Sequence, residues 1–251
     1  MRVLTELDWP EGTDRIILDS VDSTMSEAAR RAPSLARPTW IMARHQTSAR
    51  GRRGKTWENP TGNFAATFVF RPDATAGDAA LRSFSAATAL FEALAFSVDR
   101  DSLTLKWPND VLLNGGKVAG ILLESTGTQG GIDWLAIGFG VNLVAVPEGV
   151  RDAAFPPVSL AGEGGESVGP EEFLSLLATH MATEEKIFAK LGFAPIREKW
   201  LRHAARLGEV ISVRRTRDEV TGRFETVDPL GQLVLQTPNG QVAIPAGDVF
   251  F

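Results

Sequence analysis

The chain has 251 residues, a net charge of −5 and no cysteine. That balance excludes the broad basic face of a general nucleic-acid binder, and no apolar run reaches the ~18 residues of a membrane span. Without cysteine there can be no disulfide, thiolate metal site or cysteine nucleophile, and the three histidines (His45, His180, His203) are too scattered for a metal-ligand pattern.

Residues 1–13 form a lead-in too short for a helix-turn-helix and without the apolar stretch of a secretory signal, so the expected compartment is the cytoplasm. A brief strand is expected at 16–18. Asp22-Ser23-Thr24-Met25-Ser26-Glu27 then opens a helix, with Thr24 and Glu27 spaced as a capping box. A strand over 39–44 leads into Arg50-Gly51-Arg52-Arg53-Gly54-Lys55-Thr56-Trp57, which holds four cations, two glycines and an indole. Unpaired charge is costly to bury, and glycines let backbone approach a ligand, so this segment suits a loop that closes over an anion such as phosphate. A strand over 63–70 follows the Asn59-Pro60-Thr61-Gly62 turn, and 78–98 carry helical periodicity.

Short strands are expected at 103–106, 111–114 and 117–124, with Asn114-Gly115-Gly116 as a hairpin turn, and 134–143 read as a central strand. Residues 161–170 read as an exposed linker. An amphipathic helix over 171–191 points Phe173, Leu176, Leu177, Met181, Ile187 and Phe188 inward, and 195–205 extend the helical region. From Leu207 the pattern changes to strands at 209–215, 220–227, 232–237 and 241–245, the signature of a small β-barrel. The fold class is therefore α+β, with a main domain over 1–205 and a small β domain over 206–251.

Three further segments accompany the basic loop: Lys106-Trp107-Pro108-Asn109-Asp110, Gly115-Gly116-Lys117-Val118-Ala119-Gly120-Ile121-Leu122-Leu123-Glu124, and Gly138-Phe139-Gly140-Val141-Asn142. Taken singly they read as a Pro-Asn-Asp turn, a strand opened by a solvated edge lysine, and a glycine-relieved strand bend. Ser23 and Thr24 alone read as caps, Gln46 as a polar loop residue, Trp107 as core and Lys106 as either solvated or phosphate-contacting. In this order and spacing, with Asp22-Ser23-Thr24 upstream and the β module downstream, the set resembles the biotin protein ligases over residues 14–251.

The resemblance implies a class II synthetase-like catalytic domain, its mixed, mainly antiparallel sheet flanked by helices, and an SH3-like C-terminal barrel. It implies biotin, ATP and Mg²⁺, the last carried mainly by ATP, and activation of biotin as biotinyl-5′-AMP before transfer to a lysine of a biotin carboxyl carrier domain. By the family pattern Ser23, Thr24, Met25 and Gln46 meet the biotin head, and Gly120, Leu122 and Gly138 flank it. Arg50, Gly51 and Arg52 close over the carboxylate and α-phosphate, and Lys117 reaches both groups. Trp57, Lys55, Asn109 and Asn142 serve the nucleotide, and Asp110 either accompanies Mg²⁺ or orients the incoming lysine. Met25 stands where asparagine is common, Ala49 where glycine is, and Lys55 where arginine is, which removes a bidentate fork. The resemblance also implies a monofunctional ligase, allows a homodimer, and leaves a lipoate ligase or a non-catalytic biotin sensor as alternatives.

Overall fold

The computed structural model describes residues 9–54, 56–128, 131–147, 155–215 and 218–251. The large sheet is built from β1 (Asp14–Val21), β2 (Thr39–Gln46), β3 (Phe64–Phe70), β4 (Leu103–Lys106), β5 (Asp110–Leu113), β6 (Gly116–Thr128) and β7 (Gly131–Val141), in the order β1-β2-β3-β7-β6-β5-β4. Only β1 and β2 run parallel, because the helix α1 (Thr24–Arg31) lies in the crossover between them. The other neighbours are antiparallel. Asn114 (φ 50°) and Gly115 (φ 81°) supply the left-handed positions that let β5 return as β6 in a tight hairpin.

Alternation along β7 assigns the two faces. Leu135, Ile137, Phe139 and Val141 join the main core under α2 (Ala76–Leu94), α3 (Pro170–Leu191) and α4 (Phe193–Arg202). Ala136 faces the other way and packs with Met25, Ala28, Ile41 and Val69 beneath α1. Gly138 and Gly140 follow on that second face, where β7 contributes no side chain of its own. Phe64 meets Phe173 edge to face at 5.0 Å, fastening α3 to β3. Truncating fully buried Phe173 to alanine would cost ~3–5 kcal/mol.

The capping box expected at Thr24 and Glu27 is not formed. Ser23 is the N-cap without a side-chain cap bond, and Glu27 is drawn to Arg30 and Arg31. A reciprocal box forms instead at α2, between Thr75 and Asp78. The 161–170 linker is not simply exposed: Glu166 N donates to Ser97 O at 2.8 Å and Val168 is buried.

The C-terminal strands are β8 (Val210–Arg214), β9 (Glu219–Val227), β10 (Leu233–Thr237), β11 (Gly240–Ile244) and β12 (Asp248–Phe250). They pair antiparallel in the order β11-β10-β9-β8-β12, the small SH3-like β module expected, with no pairing between β11 and β12 among the described residues. The three-residue β12 escapes sequence patterning. Trp107, buried as expected, donates Nε1–H to Gly231 O at 3.1 Å, and Gly231 (φ +77°) sits so close to Leu81 and Phe84 that a Cβ would clash. These contacts dock the small sheet beside α2. Among the described residues, no helix is long and apolar enough to cross a membrane.

Candidate active site

A cavity of about 530 Å³ lies on the glycine-bearing face, between α1, the basic loop, the turn joining β4 to β5, and the C-terminal sheet. At its polar end Gln46 Oε1 accepts from Thr24 N at 2.8 Å and from Thr24 Oγ1 at 3.2 Å. Thr67 Oγ1 donates to Thr24 Oγ1 at 2.9 Å. A backbone N–H can only donate, so the Gln46 carbonyl is committed to α1 and its NH₂ is the end left for a ligand. Buried Ser23 and Met25 complete this end. The contribution of Thr67 was missed from the sequence, where its one signal is a hydroxyl amid Phe-Ala-Ala-Thr-Phe-Val-Phe.

The floor comes from β6 and β7, where Gly138 pairs with Leu122 and Gly140 with Gly120. A Cβ on Gly138 would lie 2.9 Å from Met25 Cε, and one on Gly140 would lie 2.5 Å from Trp57 Cε2. One on Gly120 would meet Trp57 Cζ3 at 3.3 Å. The absent side chains therefore make room for a thioether at one place and an indole ring at the next.

Lys117 reaches the cavity because of a register shift. Strict alternation would turn an odd-numbered residue of β6 away from Gly120 and Leu122, but the pairing with β5 slips between Val111 and Leu112. Lys117 then lines the cavity with both, its Nζ 3.4 Å from where a Gly120 Cβ would be. That ammonium lies 2.7 Å from Asp110 Oδ1, an ion pair outside aligned hydrogen-bond geometry, while Lys106 Nζ donates to Asp110 Oδ2 at 3.2 Å. Burial would raise the Asp110 pKa, yet Lys117 and Lys106 outweigh it and hold the carboxyl below its ordinary range. Burial pushes the Lys106 ammonium below the usual lysine range, against the pull of Asp110. Lys106 is thus not the solvated side chain that was one of its sequence readings.

The basic loop is folded over the site. Arg50 bridges to Thr56, and Trp57 N donates to Ala49 O at 3.0 Å. Arg50 reaches Glu124 through Nε at 3.2 Å and Nη2 at 3.1 Å, and Arg52 Nη1 donates to Asn109 Oδ1 at 3.0 Å. Asn109 is itself pinned, its Nδ2 donating to Ile121 O at 2.5 Å. Gly51 lines the cavity beside them, and Lys55 lies outside the described residues. Asn142 lines the cavity wall while donating one Nδ2–H to Val158 O at 3.0 Å, which fixes its amide to the segment after β7.

The Biotin/lipoate A/B protein ligase family profile matches residues 17–142, and the Biotin protein ligase C terminal domain profile matches 207–251. The biotin–[acetyl-CoA-carboxylase] ligase of Paracoccus denitrificans is 50% identical over 238 residues, 94% of this chain and 99% of that one. The chain belongs to the biotin protein ligase family. The fold of the ligase is similar to that of Aquifex aeolicus biotin protein ligase in complex with biotin and ATP (TM-score 0.78, 24% identity, 94% and 97% of the two chains). It also resembles the Leishmania major enzyme in complex with biotinyl-5-AMP (TM-score 0.66, 20% identity, 94% and 100%).

The ligase also draws on residues that no motif announced. Arg214, Asp248, Val249 and Phe250 of the C-terminal sheet line the cavity, with Phe155 and Pro157 from the segment after β7. Arg214 lies over the Phe250 ring at 4.5 Å. Among the described residues no cluster of His, Asp or Glu could hold a metal ion, and the oxygens of Asp110 already face two ammonium groups. The alternative in which Asp110 accompanies Mg²⁺ does not fit that surrounding positive charge.

Proposed function

We propose that this ligase biotinylates one lysine of the biotin carboxyl carrier domain of an acyl-CoA carboxylase, using ATP and passing through biotinyl-5′-AMP. The observation that supports this best is a single cavity joining a hydrogen-bonding end at Thr24 and Gln46 to a cationic end at Arg50, Arg52 and Lys117 across a glycine floor against which Met25 and Trp57 pack. An acid with a neutral polar head spans such a cavity with its carboxylate among the cations. In the first half-reaction a biotin carboxylate oxygen bonds to the α-phosphorus of ATP and pyrophosphate leaves. In the second, the deprotonated lysine amine attacks the biotinyl carbonyl carbon, the acyl–oxygen bond breaks, AMP departs and the product amide nitrogen loses a proton.

In this reading Ser23, Thr24 and Gln46 hold the ureido head, with Met25, Gly120, Leu122 and Gly138 around the rings and tail. Arg52 and Lys117 stabilise charge on the carboxylate and α-phosphate, where fixed cations in a partly closed site act most strongly. Arg50 and Gly51 form the lid, and Trp57 and Asn109 lie toward the nucleotide. Mg²⁺ arrives as MgATP. Residues 1–205 form the catalytic unit and 206–251 a second unit that contributes cavity wall. A cysteine-free, ATP-using chain fits the cytoplasm, and a homodimer formed through the sheet is tested by sedimentation with and without ligands.

The deciding experiment is mass spectrometry of a carrier domain incubated with the ligase, biotin and MgATP. One added biotinyl group on one lysine is expected. Modification with lipoate instead would select the lipoate reading, and biotin binding without pyrophosphate release would select the sensor.

A further inference from the structure

Asp110 has two ammonium partners, and they are held differently. Lys106 Nζ makes the aligned hydrogen bond, to Oδ2 at 3.2 Å, and its side chain is 9% exposed. The face of Phe155 covers it at 4.5 Å, and Asp248 of β12 adds a further attraction. Its backbone neighbour Leu105 is tied on both sides, its N–H to His203 O at 2.7 Å and its carbonyl to Ala205 N at 2.8 Å. Lys117 is 31% exposed, and its ammonium meets Oδ1 without hydrogen-bond alignment. Its backbone is nonetheless clamped, N–H to Pro156 O at 2.9 Å and carbonyl to Val158 N at 3.0 Å, so the side chain can turn on a fixed base.

We propose that Lys106 is a positioning residue, the resident counter-ion of Asp110 that lets Lys117 leave this carboxylate for the reacting ligand. The inference rests on the assignment of Lys117 to the biotin carboxylate and α-phosphate. With both lysines the group carries one net positive charge. When Lys117 swings toward an anion, the Lys106–Asp110 pair that remains is neutral. Without Lys106 the same swing would strand a buried carboxylate, which is strongly unfavourable, so Lys117 would stay locked on Asp110. Lys106 also lines the cavity, but at 9% exposure, hydrogen-bonded to Asp110 and under the Phe155 ring at 4.5 Å, it is held more tightly than Lys117, which is 31% exposed and 5.6 Å from the Trp57 ring.

The test is the first half-reaction alone, read as biotin-dependent ATP–pyrophosphate exchange, in which no acceptor lysine takes part. Lys106→Met should lower the exchange kcat on the order of 100-fold with a smaller change in biotin KM. Lys106→Arg should retain most of it. Asp110→Asn removes the charge that detains Lys117, so Lys106→Met/Asp110→Asn should exchange within about threefold of Asp110→Asn and at least tenfold faster than Lys106→Met. The comparison of the double variant with Asp110→Asn holds even if Lys106→Met fails to fold. A double variant much slower than Asp110→Asn would overturn the inference and leave Lys106 as scaffold. A wild-type protein with no biotin-dependent exchange would instead overturn the proposed function, and this inference with it.

Discussion

The glycine floor can be tested one Cβ at a time. Gly138 and Gly140 are two residues apart on one face of β7, ~7 Å along the strand, so each serves a different part of the cavity. In Gly140→Ala the new carbon would start 2.5 Å from Trp57 Cε2, whereas carbon contacts settle near 3.5–4.0 Å, so the indole must retreat by about 1–1.5 Å. Trp57 belongs to a loop rather than the core, so the ring should move and the strand stay paired. The melting temperature should change by no more than a few degrees. Stacking of a base on an aromatic ring is worth ~1–3 kcal/mol, so a displaced indole should raise KM for ATP about 10- to 100-fold while biotin Kd stays within about threefold. Gly120→Ala, with 3.3 Å to the same ring, should do far less. Gly138→Ala meets Met25 Cε at 2.9 Å and should weaken biotin instead of ATP. Calorimetric titration with biotin, pyrophosphate exchange over a range of ATP and a thermal melt give all three readouts. Unchanged ATP KM in Gly140→Ala, or a larger effect in Gly120→Ala, would refute the reasoning.

Arg52→Ala should fold normally yet release biotinyl-AMP faster, by about tenfold, because Asn109 loses its guanidinium partner and the lid loses a cation. The adenylate off-rate checks this, and an unchanged rate would remove the clamp role. Lys117→Ala should cut the rate of adenylation by ~100-fold or more with little loss of biotin affinity, and equal losses in both would make it a binding residue. Glu92, held chiefly by a hydrogen bond from Arg100 with help from Lys199, has its pKa lowered from 4.5 to about 2. A depressed carboxylate stabilises the fold above its unfolded pKa and loses that effect as pH falls through the folded one. Glu92→Gln should therefore cost on the order of 1–2 kcal/mol at pH 7, after screening at half-exposed Arg100, with wild type and variant converging toward pH 2 in denaturant melts.

Sequence patterning alone determined a large share of this ligase. The alternation from Leu135 to Val141 separates core face from glycine-bearing face, because strand side chains repeat every second residue. The basic loop, the Lys106–Asp110 turn and the two glycine strands are contiguous motifs, so they are legible without contacts. The tertiary structure decided what depends on register and distant pairing. A slip between Val111 and Leu112 turns Lys117 into the cavity. Arg50 finds Glu124 at a separation of 74 residues, and the last strand brings Asp248 and Phe250 to the wall. Thr24 and Gln46, each an ordinary polar residue locally, become a hydrogen-bonded pair only when β2 lies beside the start of α1. Lys106, one lysine at a strand end in the sequence, becomes a buried counter-ion because Asp110 and Phe155 close around it. Local pattern encodes which face a side chain takes wherever alternation is unbroken, whereas a slip such as the one at Lys117, and every charge partner, is set by the chain that folds alongside.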